Sequence, residues 1–482
     1  MKGETSCSRQ IWMLGVGLCC ALLAQPVQAQ FGGFAGGGGG FGGRGGIGGG
    51  GRGGGGTRVA GGILVDANGV VQPVFGQDHN AKLERTRIEA DAREHLPSDL
   101  NALSPLRKIS LRRLEEECAK YADRKQDVTV EMQFLAGLQR IDYVFIYPDA
   151  HDVVIAGPAE GFAFDAVGRA VGVSTGQPPI RLGDLLVALR CLERDGKFGC
   201  SIDPRQEALE KLGQWLKQQP IATSTDQAKS RFEQSAEIVG MQDVKVWGVP
   251  AESHFAQVLV EADYRMKRIG LGLDHPPVKG LHSHLATLGA HGNSMQRWWF
   301  VPQYDDFVRT EDGLGYQPAG PRAQVLAQEE LVDQQGRRSD AGNTRQSTQK
   351  WARHFSKKFP ELADRVPVFA EMRNLFDLAI VAALFKKEQI PQRAGWRPGL
   401  FLDAARAPTK RGPVPRQVPT CSNCKNASDG SVIGLVAGGV VADATEALQS
   451  AQFEQDKDAT VARERTSARR EQLPAAHAWW WD

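Results

Sequence analysis

Four histidines lie close together in the chain: His275, His282, His284 and His291. Neutral imidazoles are the commonest metal ligands in proteins. If this segment is a strand, His282 and His284 point to the same side, because they are separated by one residue. A third histidine, with Asp305 or Asp306 as an oxygen donor, would then complete a zinc-like site with an open position.

The surroundings of these histidines favour a simpler interpretation. Their spacing does not match H-E-x-x-H or another metallohydrolase signature. Pro276–Pro277 and Gly289 are typical of a loop, in which the imidazoles would be solvated. We therefore expect no bound cofactor, and a zinc-dependent hydrolase built on residues 275–291 is the alternative hypothesis.

Residues Gly172–Gly176 read G-V-S-T-G, which matches the G-x-S-x-G pattern of serine hydrolases. That chemistry needs a helix that starts directly after the serine. Residues 177–180 are Gln-Pro-Pro-Ile, which predict an extended segment. We interpret the match as a turn in a glycine-rich strand pair.

Five cysteines follow residue 29. In an oxidising compartment, Cys191 and Cys200 would close a short loop, and Cys421 and Cys424 a tight one. Cys118 is then a free thiol in a helix, where it would pack as a small hydrophobic side chain. A redox or metal role for Cys421 and Cys424 is a third functional hypothesis.

An aromatic group, Trp298, Trp299 and Tyr304, is a candidate platform for sugar rings or for a protein partner. On a strand, Trp298 and Trp299 must point to opposite faces. One of them is therefore expected in the core and the other at the surface or in an interface.

The predicted helix over residues 253–268 is dense in charge. Glu261–Arg265 and Asp263–Lys267 have the spacing and orientation of stabilising ion pairs. One stripe of this helix, opposite its apolar face, carries His254, Gln257, Glu261 and Arg265. Such charge patterning predicts a solvated helix face.

The N-terminus predicts export. Lys2 and Arg9 precede an apolar run over residues 11–24, and Val27–Ala29 has the small-x-small pattern of a cleavage site. We expect residues 1–29 to be a signal peptide and the protein to be located in the periplasm or at the cell surface. The apolar run is too short to cross a bilayer comfortably, so no transmembrane span is expected after cleavage.

The net charge argues against one class of partner, and the glycine content predicts a segment without a fold. With 58 basic and 56 acidic side chains, the net charge of +2 gives no field for a nucleic acid. Nineteen of the 25 residues from 32 to 56 are glycine. Such a segment buries little apolar surface, which predicts a disordered spacer over residues 30–57.

The remaining sequence predicts an α+β fold with mixed helices and short, mainly antiparallel strands in two lobes. An N-terminal lobe is expected over residues 58–222, where Asn68–Gly69 indicates the turn of a hairpin. A C-terminal lobe is expected over residues 226–392. Residues 393–482, which are basic and rich in proline, predict a mostly disordered tail.

The most hydrophobic helix is predicted over residues 368–387, and its apolar residues cover nearly the whole circumference. This pattern is typical of a helix that is buried on all sides.

Five stretches together resemble a family of exported bacterial proteins that is defined only as a domain of unknown function. They are residues 61–66, 181–190, 260–268, 297–300 and 369–375. The resemblance extends over roughly residues 59–390, and it implies an exported globular module without implying an activity or site residues. The leading hypothesis is therefore a non-enzymatic binding or structural module that binds an envelope protein or glycan.

Overall fold

The computed structural model describes most of the chain from residue 60 onward. The described ranges are 60–65, 71–75, 82–220, 224–287, 294–332, 337–427, 430–468 and 478–482. The predicted signal peptide, residues 1–29, and the predicted spacer, residues 30–57, lie outside these ranges.

Helices and strands are interspersed along the described chain, as predicted for an α+β fold. The strands are β1 Ala60–Val65, β2 Val71–Phe75, β3 Ser104–Ser110, β4 Tyr143–Tyr147, β5 Asp152–Ala159, β6 Phe162–Phe164, β7 Ala170–Gly172, β8 Lys197–Pro204, β9 Met241–Trp247, β10 Ser294–Gln303, β11 Asp306–Arg309, β12 Gly315–Pro318, β13 Arg322–Val332, β14 Arg338–Asp340, β15 Gln417–Pro419, β16 Ser422–Ala427, β17 Gly430–Asp443, β18 Gln452–Gln455 and β19 Trp480–Trp481. The helices are α1 Lys82–His95, α2 Ser98–Asn101, α3 Leu111–Asp123, α4 Val130–Gln133, α5 Leu182–Arg194, α6 Gln206–Lys217, α7 Thr225–Val239, α8 His254–Gly270, α9 His284–Thr287, α10 Gln346–Arg365, α11 Pro367–Lys387, α12 Ile390–Ala394, α13 Gly399–Leu402, α14 Ala444–Ser450 and α15 Thr460–Ala468.

Two large sheets organise these elements. The central sheet has the order β14-β13-β10-β17-β8-β9-β15, with β16 also paired to β17. The second sheet has the order β18-β11-β12-β4-β5-β3-β19. Among the described ladders, β10–β17 and β11–β18 are parallel and the others are antiparallel. The prediction of mainly antiparallel strands is therefore confirmed, and the predicted N-terminal hairpin is present as the β1–β2 pair.

The two sheets do not divide at residue 222. The central sheet places β8 from the predicted N-terminal lobe between β17 and β9, and the second sheet places β4 next to β12. One continuous core cluster runs from Ile88 to Trp479. Residue 222 is thus not a boundary between separate lobes, because each sheet needs strands from both sides of it.

The prediction of a mostly disordered tail over residues 393–482 must also be corrected for the described parts of this region. Its described parts contain β15 to β19 and α13 to α15, and β17 lies at the centre of the central sheet. Glycines in β17 let neighbouring backbones approach closely, since a β-carbon added at Gly439 would lie 1.9 Å from the carbonyl oxygen of Cys200. The disorder was predicted from the basic, proline-rich composition of residues 393–482, which does not reveal this packing.

Helix α11 confirms the prediction of a helix buried on all sides. Its residues 368–385 are all buried, and it packs against α5, α8, α10 and α14. Pro367 occupies its first turn, where the missing amide hydrogen costs nothing. In the described part of the chain, this and every other helix is too short or too polar to cross a membrane.

Gly438 provides a direct test of the central sheet. We expect Gly438→Ala to lower the free energy of unfolding by on the order of 3 kcal/mol, because of strain and overpacking. Gly438 has a φ of +118° in β17, and a β-carbon there would lie 2.0 Å from the carbonyl oxygen of Trp298.

Gly176→Ala is the matched control, because Gly176 has a φ of +71° with no atom within 4 Å of the added carbon. It should cost only about 1 kcal/mol, from the positive φ alone. Urea unfolding measures both, and equal losses would contradict the packing described for β17.

Candidate functional site

The central sheet separates the residues of the predicted aromatic platform. Trp298 is fully buried, and its ring stacks on that of Trp351 in α10, with 4.1 Å between the ring centroids. Tyr304 is also buried, and its hydroxyl donates a hydrogen bond to Asp377 Oδ1 at 2.8 Å. Trp299 is half-buried and points to the opposite face from Trp298. Of the three predicted partner-binding residues, Trp299 is thus the one that reaches the surface.

Trp299 belongs to a larger apolar surface that we call the open face. It consists of Trp247, Trp299, Leu326 and Val441. Trp299 lies opposite Leu326 in the β10–β13 ladder and opposite Gly439 in the β10–β17 ladder. Val441 follows Gly439 by two residues, so it shares this face. The exposed fractions are 39% for Trp247, 48% for Leu326 and 43% for Val441.

Trp247 reaches the same face through Gly199 of β8. Gly199 lies opposite both Val441 and Trp247 in the two ladders that flank β8. A β-carbon added at Gly199 would lie 2.4 Å from Cζ2 of Trp247, so the indole lies directly over this glycine. Because Gly199 has no side chain, the tryptophan ring occupies the space above it.

Polar groups border the open face. The Arg297 guanidinium lies 4.5 Å from the centroid of the Trp299 ring, and it donates a hydrogen bond to Asp203 Oδ1 at 3.0 Å. Lys245 is exposed two residues before Trp247, on the same side of β9. An apolar centre with a polar, hydrated rim is the usual composition of an interface.

A network of charged side chains lies on the other side of the central sheet, between α5, α8, α11 and the β6–β7 turn. Arg169 donates to Glu261 Oε2 at 2.7 Å, and its Nε is 3.3 Å from Glu371 Oε2. His254 lies between two carboxylates, with Nδ1 2.8 Å from Asp184 Oδ2 and Nε2 3.5 Å from Glu371 Oε1. These contacts join four elements that are distant in sequence.

The contacts in this network favour the charged forms of Glu371 and His254. Burial opposes ionisation of Glu371, but Arg169 and His254 outweigh it and lower the pKa of Glu371 to about 2. Burial likewise opposes protonation of His254, yet Asp184 and Glu371 raise its pKa above the usual value. Since each ring nitrogen of His254 faces a carboxylate, neither is directed at an open substrate position. The geometry is that of a structural ion network.

The prediction that the charged stripe of α8 is solvated is therefore wrong. His254 and Glu261 face the charge network, and Arg265 pairs with Asp274 at 3.2 Å rather than with Glu261. The predicted Asp263–Lys267 pair is present at 2.6 Å, but it is fully buried. Burial raises the pKa of Asp263 to about 6, although Lys267 partly offsets this. The sequence shows these residues as partners along one helix, and it does not show the partners from other elements.

The predicted histidine cluster is not assembled by the described residues. His284 is buried at the start of α9, with Nε2 3.3 Å from Thr348 Oγ1. Burial, and to a smaller extent the positive charge of Arg345, lowers the pKa of His284 to about 4. His275 and His282 are exposed, and His291 lies outside the described ranges. Over those ranges, no three histidine, cysteine, aspartate or glutamate side chains are grouped to hold a metal ion. The strand that was assumed for His282 and His284 is instead a loop that leads into a helix.

The G-V-S-T-G segment is a turn held by a buried carboxylate. Glu160 accepts hydrogen bonds from the backbone amides of Ser174 at 2.7 Å and Thr175 at 2.9 Å. The next helix, α5, begins only at Leu182. The interpretation as a turn is confirmed, and Glu160 is the structural residue that the motif search did not identify.

The four cysteines whose side chains the structure describes are free thiols. Cys118, Cys191, Cys200 and Cys421 are all free and buried. Neither predicted disulfide is therefore formed in this structure. Cys191 instead donates to the carbonyl oxygen of Lys197, with 3.7 Å between the atoms. Burial raises the pKa of Cys421 to about 12, and partners around it only partly offset this. The side chain of Cys424 lies outside the described part.

The described residues define an α+β protein with one open apolar sheet face and an internal ion network. Residues 200–284 match a family model whose description is a protein of unknown function (DUF1598). This segment contains β9 with Trp247 and α8 with His254. The predicted resemblance to a domain of unknown function is confirmed for this segment. Comparisons with curated proteins and with solved structures found no match.

Arg169→Met tests the ion network. The variant leaves Glu261 and Glu371 as buried carboxylates without the cation that they share. We expect the free energy of unfolding to fall by about 3–5 kcal/mol, measured by urea denaturation.

Arg406→Met is the matched control, because the Arg406–Asp123 pair is exposed on both sides. It should change stability by about 1 kcal/mol at most. Similar values for the two variants would show that the network does not carry the stability assigned to it.

The raised pKa of His254 predicts a pH dependence. A histidine whose pKa is raised by folding contributes stability that is complete below its unfolded value of about 6.5 and that is lost as pH rises through the folded value. We expect His254→Gln to be less stable than the native chain at pH 5.5, and the difference to shrink toward pH 8.5. Urea midpoints across this range measure it, and a constant difference would rule out a charged His254.

Proposed function

We propose that this chain is an exported, non-enzymatic binding module of the cell envelope, which binds an envelope protein or glycan through the open face. The observation that carries the proposal is that Trp247, Leu326 and Val441 are partly exposed and that strand register places them on one face of the central sheet. Single exposed apolar residues are common on protein surfaces, whereas a contiguous patch with a polar rim is typical of an interaction site.

The chemistry of the open face fits both classes of partner. The indole of Trp247 lies over Gly199 and is 39% exposed, so its exposed part can contact a sugar ring or an aliphatic side chain. Leu326 and Val441 add aliphatic area that is buried only when a partner covers it. At the rim, Arg297, Asp203 and Lys245 supply polar groups for hydrogen bonds at the edge of the contact.

The export part of the proposal rests on the N-terminal sequence. A basic start, an apolar run over residues 11–24 and the Val27–Ala29 pattern together are typical of a cleaved signal peptide. The glycine-rich residues 30–57 would then separate the folded part from the surface to which the chain is delivered.

The binding test uses two substitutions on the open face, Trp247→Ala and Leu326→Ser. Both side chains are partly buried, so each substitution should cost about 1–2 kcal/mol and leave the chain folded, which circular dichroism verifies. Binding to isolated envelope glycan, or capture of a photo-crosslinked envelope protein, should weaken by about thirtyfold if these residues are interface hot spots. The partner that responds to the substitutions identifies the class.

Phe164→Ala and Leu103→Ser are the matched controls, because Phe164 and Leu103 are 41% and 65% exposed outside the open face. They should leave binding unchanged. Undiminished binding by the open-face variants, or an equal loss in the controls, would contradict the proposal.

A further inference from the structure

The run Trp479-Trp480-Trp481, followed by Asp482, forms an added strand at the edge of the second sheet. β19 pairs antiparallel with β3, with Trp480 opposite Ile109 and Trp481 opposite Lys108. The amide of Ser110 donates to the carbonyl oxygen of Trp479 at 2.8 Å. These main-chain bonds are those by which an extended peptide adds to a sheet edge.

A fully buried arginine, Arg107, forms an ion pair with the acidic residue of this segment. Arg107 donates from Nε to Asp482 Oδ1 at 2.7 Å and from Nη2 to Asp482 Oδ2 at 3.0 Å. This bidentate pair is specific for a planar carboxylate. The ring of Trp480 lies 4.5 Å from the guanidinium carbon, which adds a cation–π contact.

The position of the guanidinium is fixed by groups outside the segment. Nη1 of Arg107 donates to the carbonyl oxygens of Leu100 at 3.1 Å and Ala136 at 2.7 Å. Nη2 also donates to the carbonyl oxygens of Asp99 and Ala102. These carbonyls orient the arginine but carry no net charge, so a buried cation still requires an anion. The arginine is therefore an anchoring point that exists before the carboxylate arrives.

We propose that Arg107 and the edge of β3 form a peptide-binding site for an extended segment with two consecutive aromatic residues followed by an acidic residue. Residues 479–482 are its built-in occupant. Because this occupant is tethered, its effective concentration at the site is in the millimolar range, and a free peptide of the same chemistry must compete with it. The site is separate from the open face and does not depend on the function proposed for that face.

The test uses the full chain and a fluorescent peptide with the sequence of residues 478–482 and an amidated end. The variant with Trp480→Ala and Asp482→Asn weakens the built-in occupant. We expect the peptide to bind this variant at least tenfold more tightly than the native chain, measured by fluorescence anisotropy.

A second peptide, in which asparagine replaces the aspartate, should bind the same variant at least tenfold more weakly, because it cannot form the charged pair with Arg107. If the double variant loses its fold by circular dichroism, Asp482→Asn alone, which keeps the three tryptophans, replaces it. Absence of peptide binding to a folded variant, or equal binding of the two peptides, would overturn the proposal.

Discussion

The structure depends on the insertion of β17 between β10 and β8. This strand comes from the region that the sequence analysis assigned to a disordered tail, yet it completes the central sheet. Its backbone passes so close to β10 that Gly438 leaves no space for a side chain. The carbonyl oxygen of Gly438 also accepts a hydrogen bond from the buried Lys267 at 3.2 Å. A chain cut near residue 392 would therefore lose the strand that joins the two halves of the sheet.

The two sides of that sheet have different roles. On the inner side, buried ionisable residues of α8 and α11 pair with one another, as His254 does with Glu371. The contacts of Glu371 with Arg169 and His254 connect α11 to the β6–β7 turn and to α8. Displacing any one of these elements would leave a buried charge without its partner. On the outer side, Gly199 has no side chain, which leaves room for the indole of Trp247 to lie over it. The inner network is closed, whereas the open face leaves apolar side chains partly exposed.

The sequence predicted the features that depend on local pattern. The apolar circumference of α11, the alternation that separates Trp298 from Trp299, and the turn at Gly172–Gly176 all follow from spacing along the chain. It did not predict that α8 buries its charged stripe, because the partners Arg169 and Glu371 come from other elements. Nor did it predict β17 as a central strand, since the basic, proline-rich composition of residues 393–482 indicated disorder and strand pairing between distant segments is not visible in local pattern. Leu326 and Val441 became part of one surface only through strand register.

The central claim is that the open face is the surface to which an envelope partner binds. Hydroxyl-radical footprinting of the full chain, with and without isolated envelope material, tests it without changing the protein. We predict that oxidation of Trp247 and Leu326 falls when the partner is present, while Phe164 and Leu103, which are exposed elsewhere, are oxidised as before. Protection of Phe164 and Leu103 with Trp247 still fully reactive would contradict the claim.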